Sequence, residues 1–167
     1  MSQNQTQKNQ TQKNKILYVK GDATAPIGEG NKILIHCCND KGRWGKGFVV
    51  AISRRWKAPE TEYRKWHNSG KSFKLGNLQY VKVRDDLIVC NMIGQHDTRT
   101  IGKVPPIRYG AIKKCLEKVA EAAIMNNATV HAPKFGSALA GGSWDKIEEL
   151  INECLIDKGV KVTIYSL

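Results

Sequence analysis

The stretch "ILIHCCNDKGRWGKGFVV", residues 33–50, passes from a nearly unbroken apolar run into a bend holding three glycines, and then returns to apolar residues at helical spacing. A run that is apolar on both faces suits a parallel strand buried in a sheet. The residues that follow, Phe48, Val49, Ile52 and Trp56, suit a helix. Between them lie the most flexible and most cationic residues of the neighbourhood. A tight turn needs glycine for mechanical reasons, and an anionic ligand lying against the backbone needs it for chemical ones.

Outward from this βα unit the chain keeps alternating. "ILYVK" (16–20) reads as a strand ending at Gly21, and a second helical piece is predicted from Glu60 to His67. "NLQYVKV" and "LIVCNMI" are strands separated by "RDD", which suits a tight antiparallel connection. After Pro105 and Pro106, apolar Ile112, Cys115, Leu116, Val119 and Ala123 recur at helical spacing. "ATVHAP" is a short strand, and "KFGSALAGG" is a second glycine-rich loop. Ser143 is placed to cap a helix whose stripe is Trp144, Ile147, Leu150, Ile151 and Leu155, and "VKVTIYSL" closes the chain as a strand. Strands interleaved with amphipathic helices predict a three-layer α/β/α domain with a mixed, largely parallel central sheet.

The 167 residues suit one domain, spanning 16–167, after a polar tail over 1–15. That tail repeats "NQTQK", holds no apolar residue after Met1 and is predicted to be disordered. No apolar run reaches the length of a membrane span, and the N-terminus lacks a signal-peptide core. The five cysteines are odd in number and irregularly spaced, and four of them fall in apolar strand or helix patterns. They read as small core residues in a reducing, cytoplasmic compartment. Without a Cys-x-x-Cys pair, and with four scattered histidines, the sequence implies neither a metal nor a cofactor. Net charge is +12, of which the tail supplies three, and this raises nucleic acid as a partner, although no recognised RNA or DNA motif supports it.

Ligands of open α/β sheets bind beyond the carboxyl ends of the strands, where both glycine-rich loops are predicted to lie. Neither matches a known phosphate motif alone; "GRWGKG" lacks the Ser or Thr of a Walker loop, and the earlier segment "GDATAPIGEG" is not a G-x-G-x-x-G turn either. Together they can present two sets of backbone N–H donors to a diphosphate.

Four segments carry a resemblance to a known family. "ILYVKGDATAP" resembles the opening strand and Gly-Asp of macro domains. "LIHCCNDKGRWGKGFV" and "PKFGSALAGGSW" are similar to the two ADP-ribose loops of the branch containing ADP-ribose 1″-phosphate phosphatases and the terminal ADP-ribose protein glycohydrolase. "VTIYSL" is similar to that branch's closing strand. The resemblance covers residues 16–167 and implies an ADP-ribose site. It implies that Asp22, flanked by Gly21 and Ala23, accepts from the adenine amino group, where the residue alone reads as a turn carboxylate. Asn39 is expected either to reach the distal ribose or to close an Asx-turn. Trp44 either walls that ribose or folds back over the core. Arg43 and Lys46 read by default as solvated loop charges within the binding loop, while Gly45, Gly47 and Phe48 are expected to offer backbone to the ligand. From the second loop the resemblance implies Pro133, Phe135, Gly136, Ser137, Ala138, Leu139 and Ala140, and from the C-terminus Leu167.

His36 has two readings. A strand histidine is commonly a satisfied core group; in the phosphatase branch the matching histidine, with Asn39, is a candidate for chemistry on the 1″-phosphate. The glycohydrolase lysine and aspartate fall near Gly94 and Ala140, neither of which can serve as nucleophile or acid. His96 and Asp97 can supply titratable groups only if their loop folds over the pocket. The expected function is binding of ADP-ribose with hydrolysis of ADP-ribose 1″-phosphate. The alternatives are a non-catalytic ADP-ribose-binding module, whose ligand can be free or attached to a macromolecule, and a glycohydrolase.

Overall fold

A computed structural model describes residues 15–137 and 140–167. The tail over 1–14, and Ala138 and Leu139 of the second loop, lie outside the described residues. Six strands form one sheet in the order β1-β6-β5-β2-β4-β3. They are β1 (Leu17–Lys20), β2 (Lys32–Asn39), β3 (Leu78–Arg84), β4 (Leu87–Gln95), β5 (Thr129–Pro133) and β6 (Val162–Ser166). All neighbours pair in parallel except β3 and β4, the hairpin that turns at Asp85 and Asp86. Among the described residues four helices complete the layers: α1 (Phe48–Arg55), α2 (Ala58–Ser69), α3 (Tyr109–Met125) and α4 (Trp144–Cys154), with a 3₁₀ turn at Ile156–Lys158.

The alternation of side chains along a strand divides the core in two. Ile33 and Ile35 of β2 face one way and join Ile112, Leu116, Val119, Ile147 and Ile151 beneath α3 and α4. Leu34 and Cys38 face the other way and join Val49, Ile52, Tyr63, Val89 and Ile93 beneath α1 and α2. Each fully buried aliphatic side chain contributes roughly 1.5–3 kcal/mol. His36 shares the parity of Leu34 and Cys38, so the strand geometry directs its ring into the α1–α2 layer and not out of the sheet's carboxyl end.

The helix ends differ from expectation in one respect. Ser143 occupies the N-cap of α4, yet its hydroxyl makes no capping bond; its backbone N–H donates to the Tyr109 hydroxyl at 2.8 Å instead. The tyrosine at the start of α3 thus ties the two helices on that face. Among the described residues, no helix is long and apolar enough to cross a membrane.

Candidate functional site

Strands β5, β2 and β4 lie side by side and end together, so the loops that follow them meet. Between those loops is a crevice of about 500 Å³. The end of β2, the loop after it and the start of α1 contribute Asn39, Arg43, Gly45, Lys46, Gly47 and Phe48, with His36 at the base. The loop after β5 contributes Pro133, Phe135, Gly136 and Ala140. The two glycine-rich segments, almost ninety residues apart in sequence, therefore face one another as expected.

The first wall is the start of α1. Gly47 is its N-cap at φ 84°, a left-handed backbone that a side chain would strain, and no side chain caps the first turn. That turn contains no acidic residue either. Its N–H groups and the positive end of the helix are open to an anion, with Lys46 beside them.

Asn39 adopts its Asx-turn alternative. Its Oδ1 accepts from the backbone N–H groups of Lys41 at 2.9 Å and Arg43 at 3.1 Å, and its Nδ2 donates to the Arg43 carbonyl at 2.7 Å. The Tyr63 hydroxyl closes on the Asn39 carbonyl at 2.6 Å. The carboxamide holds the shape of the loop and retains one N–H.

Of its two readings, Trp44 takes the one that folds back over the core. It is 6% exposed, its ring packs on His36 and Tyr63, and it does not line the crevice. Its Nε1–H donates to the Ser53 hydroxyl at 2.7 Å, which donates onward to Glu60. The indole pins the loop to both α1 and α2, because a buried indole nitrogen needs an acceptor and Ser53 supplies it.

His36 is 1% exposed and bonded through Nε2 to Asn91 Oδ1 at 2.5 Å. Because the Asn91 amide nitrogen donates to the Pro59 carbonyl and to Gln79, its oxygen is the acceptor, and the imidazole must carry its proton on Nε2. Burial lowers its pKa to about 4, and the Asn91 bond acts in the opposite direction without offsetting it. At pH 7 about one ring in a thousand is protonated. Of its two readings, His36 takes the satisfied core one here: a buried, hydrogen-bonded imidazole beneath the crevice, kept neutral by burial.

Other expected residues fall outside the crevice lining. Gly21, Asp22 and Ala23 follow β1, at the sheet's edge. The Asp22 carboxylate accepts from the Thr24 hydroxyl at 2.7 Å and N–H at 2.8 Å and pairs with Arg55 at 3.4 Å. The Thr24 hydroxyl, followed by its N–H and Arg55, holds the carboxyl below its ordinary value. Ser137 turns its hydroxyl to the Lys134 carbonyl, and Leu167 is fully exposed.

The end of β4 and the loop after it supply residues that sequence reasoning missed, Gln95 and Thr98, and Cys37, Cys38, Val49 and Lys134 join the lining as well. Arg43 Nη1 donates to Asp97 at 3.0 Å and to Thr98 at 2.9 Å, while Asp40 accepts from the Asp97 N–H at 2.8 Å and meets His96 Nδ1 at 2.7 Å. Loop 95–98 thus folds onto the crevice rim. Its titratable groups, His96 and Asp97, are engaged with Asp40 and Arg43 and do not line the crevice. No signal in the sequence marks Gln95 or Thr98, because their position depends on β4 pairing with β2. Among the described residues no cluster of His, Cys, Asp or Glu suits a metal.

No family model matches the chain. A solved structure from Bacteroides thetaiotaomicron, described as a protein of unknown function, is 52% identical with TM-score 0.91, covering 92% of this chain and 98% of that one. The structure of a macrodomain protein from Streptomyces coelicolor is 46% identical with TM-score 0.81, covering 92% of this chain and 99% of that one. The chain belongs to the macrodomain family.

Among curated relatives, the mouse chromodomain-helicase-DNA-binding protein 1-like is 33% identical over 90% of this macrodomain, which spans only 17% of that protein's length. An ADP-ribose 1″-phosphate phosphatase of Lodderomyces elongisporus is 24% identical, covering 83% of this chain and 91% of its own. The bovine ADP-ribose glycohydrolase OARD1 is also 24% identical, with 92% coverage of each. Within this macrodomain, Ala140 lines the crevice and carries no functional group. At Gly94 a Cβ would lie 2.7 Å from Cys37 Sγ and 2.8 Å from Ile112 Cγ1, so the backbone there admits no side chain without rearrangement.

Proposed function

We propose that this macrodomain binds ADP-ribose, free or attached to a macromolecule, with the diphosphate between the β2–α1 and β5–α4 loops. The observation that carries the reading is the uncapped, acid-free start of α1 facing the second glycine loop across one crevice. Backbone N–H groups, a helix N-terminus and Lys46 all favour an anion at that place. Asp22, 40% exposed in its side chain, is assigned the adenine end through the family resemblance. Relatives named as enzymes acting on ADP-ribose compounds support the ligand class.

Hydrolysis of ADP-ribose 1″-phosphate is the second reading, favoured by the phosphatase relatives of matching length. It requires a group other than protonated His36. Glycohydrolysis by a lysine–aspartate pair is disfavoured by Gly94 and Ala140. Calorimetry with ADP-ribose and AMP, beside phosphate release from ADP-ribose 1″-phosphate, tests both. Binding of ADP-ribose well above AMP without phosphate release supports the binding module. Equal affinities remove the two-loop site, and steady phosphate release replaces the binding module with the phosphatase.

A further inference from the structure

The positive charge of the domain is concentrated on one layer. Residues 41–74, which form the first loop, α1, α2 and the segment after them, carry ten Lys and Arg against two Glu. From residue 16 onward the whole chain carries 24 basic and 15 acidic residues, so this layer holds +8 of a net +9. Helices α3 and α4 on the opposite face carry four basic and six acidic residues. All ten cations of the α1–α2 layer are exposed. Its two acids are already matched, Glu60 by Arg64 at 3.0 Å and Glu62 by Lys65 at 3.6 Å. Outside the crevice, Lys41, Arg54, Lys57, Lys71 and Lys74 pair with no carboxylate among the described residues.

These cations form a band. Arg54 and Lys57 flank the junction of α1 and α2, and Lys71 follows the far end of α2, twelve residues on. Gly42 packs so closely on the His67 ring that a Cβ would meet it at 2.3 Å, which sets Lys41 beside that same end. Twelve helical residues span about 18 Å. Along one strand of a duplex, at about 3.4 Å per phosphate, that distance covers roughly five phosphates.

We infer that the exposed α1–α2 face is a docking surface for a nucleic-acid backbone, separate from the crevice. The length of the band matches a run of about five phosphates, and the layer lacks what other polyanionic partners require. Between residues 41 and 75 the one large hydrophobic side chain that is exposed is Val50, at 36%. Protein interfaces are anchored by buried aromatic or apolar hot spots, and membrane-surface helices insert an apolar face. Here the apolar faces of α1 and α2 are spent against the sheet. Backbone phosphate contacts need cations alone and read no sequence.

The test is fluorescence anisotropy of the full chain with a labelled 20-base-pair DNA duplex, from 50 to 200 mM salt. One variant reverses four band cations (Arg54→Glu, Lys57→Glu, Lys71→Glu, Lys74→Glu). A control reverses four exposed lysines elsewhere (Lys103→Glu, Lys114→Glu, Lys146→Glu, Lys158→Glu), so that net charge is equal. Each lost duplex contact removes about 0.9 from the slope of log K against log salt, so the band variant is expected to lose about 3 to 4, and the control far less. Circular dichroism melting checks both folds, and the Gln set at the same four band positions serves if reversal unfolds the chain. Equal losses in both variants, no binding by the wild type, or loss on deleting residues 1–14 but not on altering the band would each overturn the proposal. Tighter binding at matched salt to polyglutamate or to phosphatidylserine vesicles would overturn it as well.

Discussion

Lowering the pH from 7.5 to 5.0 separates the two readings of His36 through stability. The unfolded imidazole titrates near 6.5 and the folded one near 4, so the unfolded chain takes up the proton first. The stabilising contribution is therefore complete above about pH 6.5 and is lost as the pH falls from there towards 4. At pH 5.0 the unfolded ring is almost fully protonated and the folded ring about a tenth so, which amounts to a loss of about 2 kcal/mol from this one group. Urea denaturation at half-unit pH steps measures it against His36→Gln, whose amide can still donate to Asn91. His131, buried and bonded to Thr129 and Tyr165, titrates in the same direction, so both proteins keep that part of the slope. The wild type is expected to lose about 2 kcal/mol more than the variant. Parallel curves would mean that the ring is solvated or charged in the folded state, and His36 would return as a candidate acid.

Trp44→Phe removes the bond to Ser53 and is expected to lower stability by about 1 kcal/mol in urea melts. The same variant leaves ADP-ribose affinity unchanged by calorimetry, since the indole lies outside the crevice; a large loss of affinity would restore Trp44 as a ligand wall. Asp22→Ala is expected to weaken ADP-ribose by roughly 1–3 kcal/mol. The variant also strips the buried Thr24 N–H and hydroxyl of their acceptor, so stability is expected to fall by about 1–3 kcal/mol in urea melts; unchanged affinity in the folded variant would remove Asp22 from the site. Gly94→Ala overpacks the contact with Cys37 and Ile112 and is expected to cost about 1–3 kcal/mol, read as a lower urea midpoint.

The fold was legible where periodicity reports burial. The apolar run of β2, the hairpin at "RDD" and the stripes of α3 and α4 all correspond to elements of the structure. The facing of the two glycine loops also followed, because β2 and β5 end at the same edge of a parallel sheet. What the sequence withheld depended on pairing and on local competition for hydrogen bonds. Gln95 and Thr98 reach the crevice because β4 lies beside β2, and nothing in their own residue types says so. Trp44 lies between glycines and cations, a context that reads as surface until Ser53 and Tyr63 are seen to receive it. Ser143 has a capping residue's identity and position, yet its hydroxyl makes no capping bond.

The tight backbone at Gly94 limits how new chemistry can be installed here. A designer who grafts a lysine at that position must first make space, for example by shortening Ile112 or Cys37, and each such truncation alone opens a void in the packed interior. The route therefore passes through less stable intermediates in either order, unless the changes are made together. Thr98, exposed on the rim beyond the strand end, can be exchanged without opening such a void, at the loss of its bond from Arg43. The rim is the easier place to add a reactive group.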